Sequence, residues 1–109
     1  MELYEELAYK NRELDSAIKT LRTNGTALAE AERDYKEALS KEVLRLRDEG
    51  MAVTLINLVI YGLPSISTLR LKRDIAKVTY DANEEYINIV KLQLRIIESN
   101  LEREWGNTK

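Results

Sequence analysis

Leucine recurs every seventh residue at Leu7, Leu14, Leu21 and Leu28, and Tyr4, Asn11, Ile18 and Gly25 fill the alternate positions three residues before each. Spacing of this kind marks a helix that buries a narrow stripe against another helix, the seam of a coiled coil. The repeat continues in phase, though more polar, through Glu32, Tyr35, Leu39, Glu42 and Leu46. One helix is therefore expected over 2–49. Gly25 costs a helix roughly 1 kcal/mol relative to Ala. The heptad phase does not reset around it, so the helix is read as continuous, with Gly25 admitting a close neighbour or a slight bend. Gly50, after Arg47-Asp48-Glu49, is a helix stop.

The segment 51–64 is less regular. Val53 to Tyr61 is rich in β-branched residues and would suit a strand by propensity. No second strand is available to pair with it, and a lone strand leaves its backbone groups unsatisfied. A short helix capped by Thr54 and ended by Gly62, with Pro64 just beyond, fits better. A second long helix is expected over 66–105, starting near Ser65 or Ser67, with 106–109 as a tail. It carries two apolar stripes. One runs Leu71, Ile75, Val78, Ala82, Tyr86, Ile89 and Gln93; the other runs Ile87, Val90, Leu94, Ile97, Leu101 and Trp105. A helix with two apolar faces needs two neighbours. The first long helix, folded back antiparallel, supplies one, and another chain or a bound partner supplies the other. The expected fold is thus all-α: a long helical hairpin with a short helix at its tip, one domain over 1–109, dimerising into a helical bundle.

Composition narrows the chemistry. Charged residues make up 33% of the chain and nearly cancel, to a net −2, which argues against general nucleic-acid binding. There is no Cys and no His, so thiolate chemistry, zinc–sulfur sites and the commonest neutral-pH base are missing. No phosphate loop or nucleophile motif is present. The expectation is a non-enzyme with no cofactor, no metal and no small-molecule substrate. The acidic start, Met1-Glu2-Leu3-Tyr4-Glu5-Glu6, does not read as a signal peptide. Val53 to Tyr61 is far short of the roughly 20 residues a membrane helix needs. A cytoplasmic location away from membranes follows as an expectation.

The residues expected to form an oligomer or partner interface are Leu7, Asn11, Leu14, Ile18, Leu21 and Leu28 on the first helix, and Ile87, Val90, Leu94, Ile97, Leu101 and Trp105 on the second. Asn11 is either a buried register device or a wet residue in fraying turns. Trp105 either anchors a partner or closes the end of the hairpin. Glu32 and Glu42, with Glu84 and Glu85, fit flanking ion pairs far better than a metal site, because bundle carboxylate sites also carry Glu-x-x-His motifs. Lys41, Arg45, Arg47, Arg70, Lys72, Arg73 and Lys77 gather toward the tip, diluted by Glu42, Asp48, Glu49 and Asp74. They support a second reading, a phosphate-contacting tip, against the plainer one of a solvated charged face. A helix-turn-helix template over 54–72 fits poorly, since it would bury Asn57 and Thr68.

Three stretches carry a resemblance: Glu30-Ala31-Glu32-Arg33-Asp34-Tyr35, Leu69-Arg70-Leu71-Lys72-Arg73-Asp74-Ile75-Ala76, and Lys91-Leu92-Gln93-Leu94-Arg95 leading to Leu101-Glu102-Arg103-Glu104-Trp105. Together they resemble small all-helical proteins encoded by bacteriophages and prophages of Gram-positive bacteria. Such proteins tend to be encoded in early or recombination-associated regions, so the resemblance implies a role beside phage DNA metabolism in the bacterial host cell. It brings no catalytic positions with it. The resulting expectation is an oligomeric coiled-coil protein that binds a protein partner; the alternative is a nucleic-acid accessory using the basic tip.

Overall fold

The computed structural model describes residues 2–107. Every regular element among them is helical: α1 (Leu3–Asp48), α2 (Val53–Val59), a 3₁₀ turn (Ile60–Gly62) and α3 (Pro64–Asn107). The long helix α1 packs against α3, giving the all-α helical hairpin that the heptads imply.

Local chemistry sets the breaks. Helix α1 runs through Gly25 uninterrupted, since one weak position costs less than the roughly 1.5–3 kcal/mol that each large buried aliphatic contributes. It ends at Gly50, whose φ is 87°. The Gly50 N–H donates to the Arg47 carbonyl at 2.9 Å and the Met51 N–H to the Leu46 carbonyl at 3.0 Å. This is a Schellman cap, and Met51 packs against the core that holds Leu46. Helix α2 departs from expectation at its start. Its N-cap is Ala52, with no side-chain hydrogen bond, and Thr54 lies one residue inside the helix. The last helix also begins earlier than Ser65 or Ser67. Leu63 is extended, at φ −66° and ψ 132°, as a residue before proline prefers. Pro64 then opens α3, where its missing N–H costs nothing. Of the expected tail, Gly106 and Asn107 continue α3, and residues 108–109 lie outside the described range.

The chain packs as two compact units, Asn24–Thr79 and Met1–Thr23 with Tyr80–Lys109. In the first, Tyr35, Leu46, Ile56, Ile60 and Ile66 form one core, with Leu39, Val43 and Leu63 against it. Ile56 and Ile60, four residues apart, are how the short α2 and its 3₁₀ extension reach that core. The inward positions of α3 here are Ile66, Leu69, Arg73 and Ala76. Arg73 occupies a seam position by lying 4.6 Å over the Tyr35 ring while its guanidinium donates to Asp74. Its stem covers apolar surface and its charge stays partnered.

In the second unit, Ala17, Ile87, Val90, Leu94, Ile97 and Leu101 are buried. Asn83 on α3 bonds to Ala17 on α1, and Trp105 bonds to Tyr4. As numbers rise along α1 they fall along α3, so the two segments run antiparallel.

The leucine column is a seam, but its companion column differs from the expected one in the first half of α1. Leu39 and Leu46 of that column do pack in the core of the unit Asn24–Thr79. Leu7, Leu14, Leu21 and Leu28 are half-buried, and the fully buried α1 residues beside them are Ala17 in one unit and Ala31 in the other. Asn11 and Tyr4 are exposed, and Ile18 is only half-buried. Small side chains three residues after a leucine let α3 come close, so the helix turns that column inward. Asn11 is therefore outside the packing of α1 against α3 in its own unit.

Candidate interaction surface

Helix α3 has two apolar faces, and the hairpin covers one of them. Ile87, Val90, Leu94, Ile97 and Leu101, expected as an interface with another molecule, are packed inside their own unit. They are the intramolecular seam, a correction that follows from which stripe lies closest to the alanines of α1. Two residues beyond each inward position, about 200° around the helix, lies the outward face.

In the unit Asn24–Thr79 that face holds Leu71, Ile75 and Val78, and in the other unit Ile89, Leu92 and Ile96. All six are between 46% and 68% exposed. Reading the sequence placed Tyr86, Ile89 and Gln93 on this stripe. The exposed aliphatics follow Ile89, Leu92 and Ile96 instead, in the strict three-and-four alternation that keeps residues on one side of a helix. That alternation was the available signal for Leu92 and Ile96.

The tip of the unit Asn24–Thr79 is a second exposed apolar region. Gly50 to Leu69 contains no charged residue, and Val53, Leu55, Leu58 and Tyr61 are exposed there, Leu58 at 81%. The cations expected around it are partly engaged within the chain. Arg45 bridges Glu42 and Glu49, both at 2.8 Å. Arg73 is held by Asp74 and Tyr35, and Arg70 lies 5.1 Å over the Tyr61 ring. Lys41, Arg47 and Lys72 are exposed. Ion pairs and ring contacts thus engage three of the seven residues assigned to a phosphate-contacting tip.

Trp105 is 61% exposed, and its indole N–H donates to the Tyr4 hydroxyl at 3.0 Å. The two rings tie the last turns of α3 to the first turn of α1, with Leu101 and Glu104 lining an open groove beside them. On α1, Lys10 donates to Glu13 at 3.1 Å. That bond, aided by the Tyr9 and Tyr86 hydroxyls, holds the Glu13 carboxyl below its usual range against the opposing effect of burial. Among the described residues, no three acidic side chains converge as metal ligands, and no single helix is long and apolar enough to cross a membrane. No protein family, curated protein or solved structure matches this chain.

Proposed function

We propose that this chain is a non-enzymatic, oligomeric coiled-coil protein whose work is to bind other protein surfaces. The observation that carries the reading is the outward face of α3, where Ile, Leu and Val recur at heptad positions that solvent would ordinarily fill with polar residues. A single exposed leucine is commonplace, but an apolar stripe in register is what a helix keeps for another helix. The charge-free tip around Leu58 offers a separate surface for a partner protein. The stretches that resemble phage-encoded helical proteins support placing this binding in an accessory role within an infected bacterial cell.

Light scattering at micromolar concentration tests the reading, together with an apolar dye. Association and dye binding are expected, and both should fall when Ile89 and Ile96 are replaced by glutamate while helical circular dichroism is retained. A monodisperse monomer that binds no dye would overturn it.

A further inference from the structure

We infer that the charge-free tip of the unit Asn24–Thr79 seats on an anionic lipid bilayer. Its apolar side chains enter the head-group layer and its flanking cations meet the lipid phosphates. The inference goes beyond the protein-binding reading, which stands on the outward face of α3, and assigns the tip a bilayer in place of a protein. A surface seat needs no membrane-crossing helix. Three features of this one unit carry it.

The first is the shape of the apolar surface. Within α2 only Ile56 is buried, while Val53, Thr54, Leu55, Asn57 and Leu58 are exposed. Successive residues turn by about 100°, so Val53, Leu55 and Leu58 leave the helix on more than one side. That makes a protruding knob, not the single stripe that a partner helix would cover. A fluid bilayer takes in such a knob without matching its shape, and removes its apolar side chains from water. Val53–Gly62 joined to the helix that follows is apolar enough for a membrane, but the two bend by 61°. A shallow seat suits that bend and a crossing does not.

The second is where charge resumes. Gly50 to Leu69 carries none, and Arg70, Lys72 and Arg73 follow at once in α3. Arg70 stands six residues after Pro64, about 9 Å along the helix. Interfacial apolar faces sink roughly 5–10 Å into a bilayer, so with the tip seated these cations lie level with the phosphates. Arg70 lies 5.1 Å over the Tyr61 ring. An aromatic ring with a polar end and a cation, the pair that head groups favour, are thus already together at that level.

Sign is the third feature. From Lys41 to Lys77 the chain carries seven cations and four anions, whereas from Asn24 to Ser40 it carries two cations and four anions. The positive end of the unit is therefore its apolar end. Arg45 bridges Glu42 and Glu49, and Arg73 bridges Asp74. Asp48 is the fourth anion, and Lys41, Arg47, Arg70 and Lys72 outnumber it. An anionic surface attracts this end and repels the other.

Sedimentation of the full chain with phosphatidylcholine vesicles, with and without phosphatidylglycerol, tests the inference. Binding is expected on the anionic vesicles and should be about tenfold weaker or more on the neutral ones. Leu58→Asp should weaken it about tenfold or more. Arg47→Gln with Lys72→Gln should weaken it several-fold and flatten its salt dependence. Ile89→Glu with Ile96→Glu, on the other apolar surface, should bind as the parent does. Each variant should keep the helical circular dichroism of the parent. Because the chain has no cysteine, a polarity-sensitive fluorophore can be placed at Asn57→Cys beside Leu58 and at Ala29→Cys in the same unit, both exposed. Emission should shift to the blue on vesicles at position 57 alone. No vesicle binding would overturn the inference and return the tip to a partner protein. Binding that ignores Leu58→Asp, or equal shifts at the two labelled positions, would overturn it as mere surface adhesion. None of these results bears on association through α3, which light scattering reads separately.

Discussion

The side-chain amide of Asn83 donates to the carbonyl oxygen of Ala17 at 3.1 Å, across the seam between α3 and α1. A polar residue sits at an inward position here because its partner helix presents an alanine. The short Ala17 side chain leaves its own backbone carbonyl within reach, and the bond fixes how the two segments are aligned. Ala17→Leu should therefore destabilise the fold by about 1–3 kcal/mol through overpacking, and Asn83→Ala by about 1 kcal/mol through loss of the bond. Ala8→Leu, at an exposed position of the same helix, should stay within about 0.5 kcal/mol. Urea denaturation of the three variants checks the ordering, and an Ala17→Leu variant as stable as the parent would refute this account of the seam.

The two glycines that bracket the tip should respond differently to alanine. A Cβ meets nothing within 4 Å at either Gly50 or Gly62, but only Gly50 has a left-handed backbone. Gly50→Ala should cost about 1–2 kcal/mol, all of it from the Schellman turn, while Gly62→Ala should cost none. Thermal melts of the pair suffice; equal shifts would mean the cap does not hold as described.

Neighbouring residues of α2 make a sharper contrast. Ile56 is 2% exposed and Leu58 81%, though they stand two positions apart on a seven-residue helix. Ile56→Ala should destabilise by about 2–5 kcal/mol. Leu58→Ser should leave stability within about 0.5 kcal/mol and raise solubility. Loss of the fold in Leu58→Ser would show that the tip packs otherwise.

Acid should weaken the unit that holds Glu13. Its carboxyl is held low chiefly by the bond from Lys10, so the folded state favours the ionised form. That contribution is complete above the ordinary carboxyl range and disappears as pH falls through the lowered value. Melting temperature followed from neutral to acid pH should fall less steeply in Glu13→Gln than in the parent. Parallel curves would remove Glu13 from the acid response.

Arg73 and Tyr35 form the same kind of cross-helix pair in the other unit. The guanidinium lies 4.6 Å over the ring, which burial of Tyr35 to 6% exposure makes part of the core. Arg73→Ala should cost about 1 kcal/mol or more from lost stacking and cover, measured by denaturation. A test of the phosphate-contacting alternative is better made at Lys41, Arg47 and Lys72, whose replacement leaves that packing alone.

Much of the architecture was written in one dimension. The leucine column specified a long α1, Gly50 its end, and Gly62-Leu63-Pro64 the corner into α3, because these depend on backbone preference and on periodicity within one helix. Thr54 was misjudged as a cap since a cap is decided by where the preceding chain turns, and the Gly50 cap places that turn at Ala52.

The choice between stripes was not legible. Helix α3 carries aliphatics at Ile87, Val90 and Leu94 and again, two residues on, at Ile89, Leu92 and Ile96, and a heptad pattern is equally satisfied by either. Only the apposed helix breaks that tie. The leucines of α1 could have faced inward with Asn11 and Ile18 or with Ala17, and the alanine column won because it admits the closer approach. Sequence alone thus determined that these are helices with more apolar surface than one hairpin can hide. Tertiary packing decided which of it stays uncovered, since burial is a property of two surfaces meeting and not of either one.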